Sequence, residues 1–201
     1  MLLALAATGT RLAGAPWPTS GTLGRMNGLP DLSPLALWAV LVLVNGFGEE
    51  VGWRGFALPH LEASHPPLRA TLLLTGAWAG WHLPAFFFLE GFRSVGLAGF
   101  PVFFLFLATG ALVFTWLYHR TGGSLLALAL FHGGYNLATA TEAARGPIAA
   151  VVTTAVSAWG FVLAAREVRA ARRGEPSVLM EEASPDSSTA AASGARTPLA
   201  R

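Results

Sequence analysis

Three short polar groups interrupt an otherwise apolar chain of 201 residues, and together they hold the side chains that acid–base chemistry requires. One is a pair of adjacent glutamates followed by an arginine, the next is a histidine preceded by tryptophans, and the last is a histidine followed by an asparagine. The candidate site residues are Glu49, Glu50, Arg54, His82, His132 and Asn136. Because the chain has no cysteine, thiol nucleophiles, disulfides and cysteine-based metal sites are excluded.

The first group predicts two carboxylates with different roles. Successive helical residues diverge by about 100°, so Glu49 and Glu50 cannot point in the same direction. Glu50 and Arg54 are spaced i,i+4 and can form an ion pair along one helix face. That pair would keep Glu50 ionised and fixed, whereas Glu49 would be free to face a cavity. Desolvation and the neighbouring like charge would then help Glu49 to act as a general base.

The other two groups supply imidazoles and an amide. His82 lies in an apolar segment two residues before Pro84, which lacks an amide hydrogen and predicts a kink beside the histidine. His132 and Asn136 are spaced i,i+4 and can point at one spot, while the two glycines between them allow close approach of a helix or a substrate. Each group alone also fits a structural role, such as an ion pair or an interhelical hydrogen bond. The aromatic residues around His82 fit packing better than recognition.

The elements that must position these residues are membrane helices. The composition is 53% hydrophobic and 12% charged, against about 25% charged in soluble domains. A spanning helix needs about 20 mostly apolar residues. Five segments meet or approach that length: residues 32–48 continuing to about 58, 70–89, 94–119, 121–141 and 146–165. The predicted fold class is therefore an all-α, polytopic transmembrane helix bundle with about five spanning helices, in which ionisable residues at membrane depth are functional candidates.

The chain divides into three predicted regions. Residues 1–31 form an N-terminal stub and connector, residues 32–171 form the transmembrane domain, and residues 172–201 form a disordered polar tail. All thirteen basic residues are arginines. On the membrane surface that the C-terminal tail would share, the predicted spans place Arg69, Arg120, Arg166, Arg169, Arg172 and Arg173. On the opposite surface they place Arg11, Arg25, Arg93 and Arg145. This asymmetry predicts a cytoplasmic C-terminus. No basic cluster is interleaved with aromatics, so no nucleic-acid partner is expected.

The order of the three groups resembles the CPBP family of intramembrane peptidases. Glu-Glu-x-x-x-Arg, then aromatic-x-x-x-His, then His-x-x-x-Asn follow one another on successive spans over about residues 35–163. That family comprises CAAX prenyl endopeptidases and bacterial relatives associated with bacteriocin processing and immunity. The resemblance implies a peptide or protein substrate at the lipid bilayer and a location in the bacterial cytoplasmic membrane.

Specific roles follow from the resemblance alone. It implies that Glu49 activates the hydrolytic water, that Glu50 with Arg54 braces it, and that His82 helps to hold that water. By the same match, His132 and Asn136 would polarise the scissile carbonyl and stabilise the oxyanion. This chain departs from the family in two respects: Trp78 stands where the second motif usually has Phe, and only a short stub precedes the Glu-Glu helix.

Two questions stay open at the level of sequence. Glu49, His82 and His132 can instead be combined as Zn²⁺ ligands with one open position, although the metal-free mechanism is favoured because no His-Glu-x-x-His is present. The function alternatives are a non-catalytic membrane immunity or scaffold protein and an ion or proton transporter. A binder needs no base and oxyanion donor together, and no inverted repeat supports a transporter.

Overall fold

The computed structural model describes residues 16–144 and 147–181, together with positions 7, 8, 11 and 14. Regular structure in these ranges is helical, apart from one isolated antiparallel backbone pair between Met26 and Thr141. The helices are α1 (Ser20–Leu23), α2 (Pro34–Glu62), α3 (Pro67–His82), α4 (Ala85–Phe88), α5 (Glu90–Val95), α6 (Phe100–Arg120), α7 (Leu125–Ala140) and α8 (Pro147–Arg173), with 3₁₀ turns at Leu97–Gly99 and Glu142–Ala144. Much of the predicted N-terminal stub lies outside the described residues.

Three of these helices are long and apolar enough to cross a membrane. They are α2 with 29 residues, α6 with its preceding turn with 24, and α8 with 27. The helices α3 and α7 have 16 residues each, which at 1.5 Å per residue gives about 24 Å, less than the ~30 Å hydrocarbon core. The predicted all-α membrane bundle is confirmed: three helices of the described residues are long and apolar enough to span, and α3 and α7 are shorter.

Local chemistry explains where the helix ends differ from the predicted windows. The window 70–89 is broken because α3 ends at His82 and the chain restarts at Ala85, so Pro84 causes a break where a kink was predicted. The window 121–141 begins late because Gly122 and Gly123 adopt positive φ. Ser124 then caps α7 by accepting the amide of Ala127.

The helix α2 is irregular at the place where it carries the two glutamates. Its ordinary α-helical segment Gly48–Gly52 lies between two π-helical segments, Leu41–Phe47 and Trp53–Ala57. The sequence predicts an end before Pro59, but α2 continues through this proline to Glu62. The wider π turn directly before Pro59 gives a physical reason, since it makes room for the ring and needs fewer i→i−4 hydrogen bonds.

Two glycines bring α2 and α7 into close contact. A Cβ atom added at Gly46 would lie 2.6 Å from the carbonyl oxygen of Ala129, and one at Gly133 would lie 2.8 Å from the amide nitrogen of Val42. Neither position therefore has room for a larger residue. This close packing of small residues is what allows a side chain of α7 to reach the glutamates of α2.

Other contacts join the remaining helices and define the two ends of the bundle. Thr71 of α3 donates a hydrogen bond to Thr115 of α6 at 3.0 Å, and both are buried. At one end Glu62 of α2 pairs with His119 of α6 at 3.0 Å. At the other end Arg25 forms ion pairs with Asp31 and Glu142. The hydrogen bond to Asp31 raises the pKa of Arg25.

The chain does not leave the bundle at the end of α8. After Gly174, residues 174–181 fold back as a segment that we call the C-terminal strap. The carboxylate of Glu167 accepts the amides of Val178 at 2.8 Å and Leu179 at 3.2 Å, and Leu179 is completely buried among residues of α6 and α8. The packed chain thus extends beyond the predicted boundary at residue 171, because Leu179 packs into the core with Val178 partly buried beside it. Residues 182–201 of the predicted tail lie outside the described residues.

Candidate active site

Glu50 lies at the centre of a buried ionic group. One guanidinium nitrogen of Arg54, Nη1, donates to both oxygens of Glu50, at 3.0 and 3.1 Å, and both side chains have 0% exposure. On the other side, Nδ1 of His132 contacts Oε1 of Glu50 at 2.9 Å. Because an ionised carboxylate only accepts hydrogen bonds, Nδ1 of His132 carries the proton in this contact. The expected i,i+4 pair is present, and α7 adds a third member.

Two aromatic rings contact the guanidinium of Arg54. Its central carbon lies 4.5 Å from the ring centroid of Trp78 in α3 and 4.5 Å from that of Phe114 in α6. The Nε and Nη2 atoms of Arg54 are buried and have no hydrogen-bond partner within the described residues. The π faces of the two rings therefore replace hydrogen-bond acceptors around this cation, an interaction worth up to about 2 kcal/mol per ring when water is absent.

Glu49 has different surroundings from its neighbour. It is half-buried, and its Oε2 accepts a hydrogen bond from the indole nitrogen Nε1 of Trp78 at 2.8 Å. The sequence predicted that Glu49 would be free, whereas the structure gives it one donor and leaves it partly exposed. The two adjacent glutamates point in different directions, as expected for neighbours on a helix. Glu50 is buried and paired with a cation, whereas Glu49 is accessible and accepts one hydrogen bond.

His82 lies at the last residue of α3, one turn after Trp78. Its Nδ1 is 2.8 Å from the backbone carbonyl oxygen of Trp78, and since a carbonyl can only accept, Nδ1 is the protonated ring nitrogen. Its Nε2 is then an acceptor when the ring is neutral. The ring is half-buried and packs against Trp78, Phe92 and Phe103, with centroid distances of 5.8, 6.1 and 5.4 Å.

Asn136 lies one turn after His132 on α7 and is half-buried. Within the described residues its amide makes no hydrogen bond. Of the two glycines between His132 and Asn136, Gly133 packs against α2, whereas a Cβ at Gly134 would meet nothing within 4 Å. The sequence offered a helix or a substrate as the reason for these glycines. The helix contact accounts for Gly133 only, and Gly134 faces open space.

The structure does not bring the candidate zinc ligands together. Among residues 16–144 and 147–181, no three His, Asp or Glu side chains are grouped so that they could hold a metal ion. In the proposed set, one atom of each side chain is already in contact with another group. Oε2 of Glu49 accepts from Trp78, Nδ1 of His82 contacts the Trp78 carbonyl, and Nδ1 of His132 contacts Glu50. Each of the three side chains keeps a second possible ligand atom, Oε1 of Glu49 and Nε2 of each histidine, so the zinc alternative stays a prediction and no chemical step is derived through a metal.

Sequence reasoning did not find two members of this site. Trp78 was interpreted as packing, yet its indole touches Glu49 through N–H and Arg54 through its π face. Phe114 had no signal of its own in the sequence. A signal for Trp78 existed, because a buried indole N–H usually requires an acceptor, and Glu49 was the unpaired carboxylate.

The fold and the site define a class: a helical membrane protein with a buried ion pair and a partly accessible carboxylate on one helix, faced by imidazoles from two others. A family model described as "Type II CAAX prenyl endopeptidase Rce1-like" matches residues 31–138. This range is more than half of the chain and includes the six candidate residues. The chain therefore belongs to the Rce1-like CAAX prenyl endopeptidase family, and the predicted CPBP resemblance is confirmed.

One curated relative supports this assignment. CAAX prenyl protease 2 of Methanococcus maripaludis is 29% identical to this chain over 102 residues, which is 48% of this chain and 37% of that protein. The aligned part thus spans little more than a third of the relative's length. No solved structure matches the chain.

Proposed function

We propose that this chain is an intramembrane endopeptidase in which Glu49 activates a water molecule. The observation that carries the proposal is the unequal state of the two adjacent glutamates. Glu50 is completely buried and bound by Arg54 and His132, so it has no face left for a water. Glu49 is partly exposed and has an acceptor site left beside its bond from Trp78. A general base needs this access to the proton that it removes.

The proposed reaction is hydrolysis of one peptide bond. A water oxygen attacks the scissile carbonyl carbon while Glu49 takes one water proton, giving a tetrahedral intermediate with a negatively charged oxygen. The C–N bond then breaks, and Glu49 returns its proton to the leaving nitrogen. The unprotonated Nε2 of His82, whose tautomer is set by the Trp78 carbonyl, accepts a hydrogen bond from the other O–H of the water, which keeps its hydrogen, and so holds the water in line.

Two side chains of α7 are proposed to stabilise the oxyanion. His132 is held by Glu50 through Nδ1, and its Nε2 donates to the developing negative charge when the ring is protonated. The amide of Asn136 supplies a second donor from the next turn of the same helix. Preorganised donors of this kind typically contribute about 10²–10³-fold each to the rate.

The proposed mechanism needs no metal. A carboxylate base with imidazole and amide donors is sufficient for acyl transfer. Elemental mass spectrometry of the purified protein should find much less than one zinc per chain, and activity should survive a strong chelator. Stoichiometric zinc that is removed together with activity, and restored with it, would replace this mechanism by a metallopeptidase.

The name of the curated relative suggests the first substrate to test. A fluorogenic farnesylated peptide ending in a Cys-a-a-X sequence should be offered to the protein in liposomes, next to the same peptide without the lipid. Cleavage of both would indicate a peptidase that does not require prenylation. We further propose, from the family resemblance, that the protein lies in a bacterial cytoplasmic membrane and, from the arginine asymmetry, that its C-terminus is in the cytoplasm.

The decisive experiment compares two glutamate variants. Glu49→Gln should reduce kcat by about 10²–10⁴-fold, the usual contribution of a general base, while the protein still inserts and unfolds at the same temperature. Glu90→Gln, which removes an exposed carboxylate far along the chain, is the matched control and should cleave normally. Full turnover by Glu49→Gln would remove this residue from the mechanism. Ion flux in liposomes, or a cellular phenotype unaffected by Glu49→Gln, would favour a transporter or a binding protein instead.

A further inference from the structure

Trp78 makes two interactions with charged groups: it contacts Glu49 directly, and it contacts Arg54, the ion-pair partner of Glu50. Its Nε1–H donates directly to Oε2 of Glu49 at 2.8 Å. Its π face lies 4.5 Å from the guanidinium of Arg54, and that guanidinium donates to both oxygens of Glu50. Neighbouring helical side chains diverge by about 100°. A ring that contacts Glu49 directly and Glu50 through Arg54 must therefore lie between the directions of the two glutamates.

The geometry points to Trp78 as the positioning residue of the proposed hydrolysis: its indole N–H holds the carboxylate of Glu49 in the orientation in which it activates water, while its ring fixes the Arg54–Glu50 pair behind it. This inference rests on the proposed function. Trp78 touches neither the water nor the substrate in this scheme, and it acts through the base.

The surroundings of Trp78 make this role selective for the indole N–H. The ring is buried and packs against Trp53, Phe114 and His132 with centroid distances of 6.4, 6.0 and 6.0 Å. Phenylalanine, which usually opens this motif, would keep the ring over Arg54 but has no N–H. The bond to Glu49 is therefore a feature of this chain that its motif does not require.

The charged and titratable groups around this contact come from three helices. From α2 there are Glu49, Glu50 and Arg54, from α3 there is His82, and from α7 there is His132, whereas α6 contributes the neutral ring of Phe114. Of these groups, only Glu49 accepts a hydrogen bond from the indole. Removing that donor leaves Oε2 of Glu49 without its hydrogen bond from the indole. It also frees the carboxylate to rotate.

The test is the variant Trp78→Phe, with Trp53→Phe as its matched control. Both changes replace a clustered indole by a phenyl ring, but Nε1 of Trp53 makes no hydrogen bond within the described residues. For Trp78→Phe we expect a kcat lower by about tenfold with KM changed by less than about threefold. The pH profile of kcat/KM should differ from that of the wild type, and the unfolding temperature should be unchanged. Trp53→Phe should match the wild type in each of these quantities.

A second measurement tests the bond without any substrate. In ¹⁵N-labelled protein, the indole N–H resonance that disappears in Trp78→Phe should shift in Glu49→Ala, and the other indole resonances should not. If the wild type cleaves no peptide but this resonance shifts, the proposed function fails while the contact is real. If the wild type cleaves, and Trp78→Phe has a wild-type kcat and pH profile, the positioning role is wrong and the proposed function stands.

Discussion

At the scale of single residues, the site depends on a completely buried cation, the guanidinium of Arg54. Arg54 neutralises Glu50, and the rings of Trp78 and Phe114 both lie against its guanidinium, each with its centroid 4.5 Å from the central carbon. A buried ion pair of this kind contributes little when whole, because desolvation offsets the attraction. It becomes expensive when one partner is removed and the other charge stays buried.

We therefore predict that the two neighbouring glutamates differ in their effect on stability. Glu50→Gln leaves Arg54 without a counter-ion and should lower the free energy of unfolding by about 3–5 kcal/mol. Glu49→Gln leaves Trp78 with an acceptor and should change it by less than about 1 kcal/mol. Denaturant or thermal unfolding in detergent measures both. Equal stability of the two variants would contradict the ionic role assigned to Glu50.

Part of this residue-level picture was readable from the sequence. The Glu50–Arg54 pair follows from i,i+4 spacing, because both partners lie on one helix with a known period. The bond from Trp78 to Glu49 joins residues 29 positions apart. It depends on how α2 and α3 are rotated against each other, and no local pattern encodes that rotation. The zinc alternative was open because Glu49, His82 and His132 lie on three different helices, whose relative rotation the sequence does not encode.

At the scale of elements, the site depends on how closely α7 approaches α2. The imidazole of His132 reaches Glu50 because Gly46 and Gly133 bring the two backbones together. The sequence predicted both helices and a close approach at the glycines after His132, but it gave no role to Gly46. It did not predict the π segments of α2, because they arise from packing and from the accommodation of Pro59, and neither leaves a periodic signal.

The adjacent glycines of α7 give a matched pair of variants. Gly133→Ala places a methyl group against the backbone of Val42, so the helices must separate and the His132–Glu50 contact must lengthen. We expect a loss of about 1–3 kcal/mol in stability, as for overpacking in other cores, together with reduced activity. Gly134→Ala meets open space and should be neutral or slightly stabilising, since alanine favours helix. The unfolding temperatures of the two variants check this, and a stable Gly133→Ala would contradict it.

At the scale of the whole molecule, two sets of contacts mark opposite ends of the bundle. Glu62 with His119, and Arg120 with Glu181 in the C-terminal strap, lie at one end. Arg25 with Glu142, and Met26 with Thr141, lie at the other. The sequence alone predicted this up-and-down order, since each apolar segment reverses the direction of the chain.

The absence of cysteine makes the orientation directly measurable. Ser20→Cys and Ser64→Cys each add one thiol at an exposed position, before and after α2. If the arginine-rich end is cytoplasmic, a membrane-impermeant maleimide should label Ser20→Cys in intact cells, and Ser64→Cys only after the cells are opened. The reverse pattern would invert the proposed topology. The unsubstituted chain, which has no thiol, is the background control.

The C-terminal strap has a practical consequence for anyone who shortens or labels this protein. Leu179 is fully enclosed, whereas the strap is exposed on either side of it, at residues 174–176 and at Met180, which is 45% exposed. A truncation at Arg173 would leave an empty apolar slot where Leu179 packs and would deprive the carboxylate of Glu167 of its two amide donors. A synthetic octapeptide copying residues 174–181 should dock into that slot and repair the shortened chain in trans.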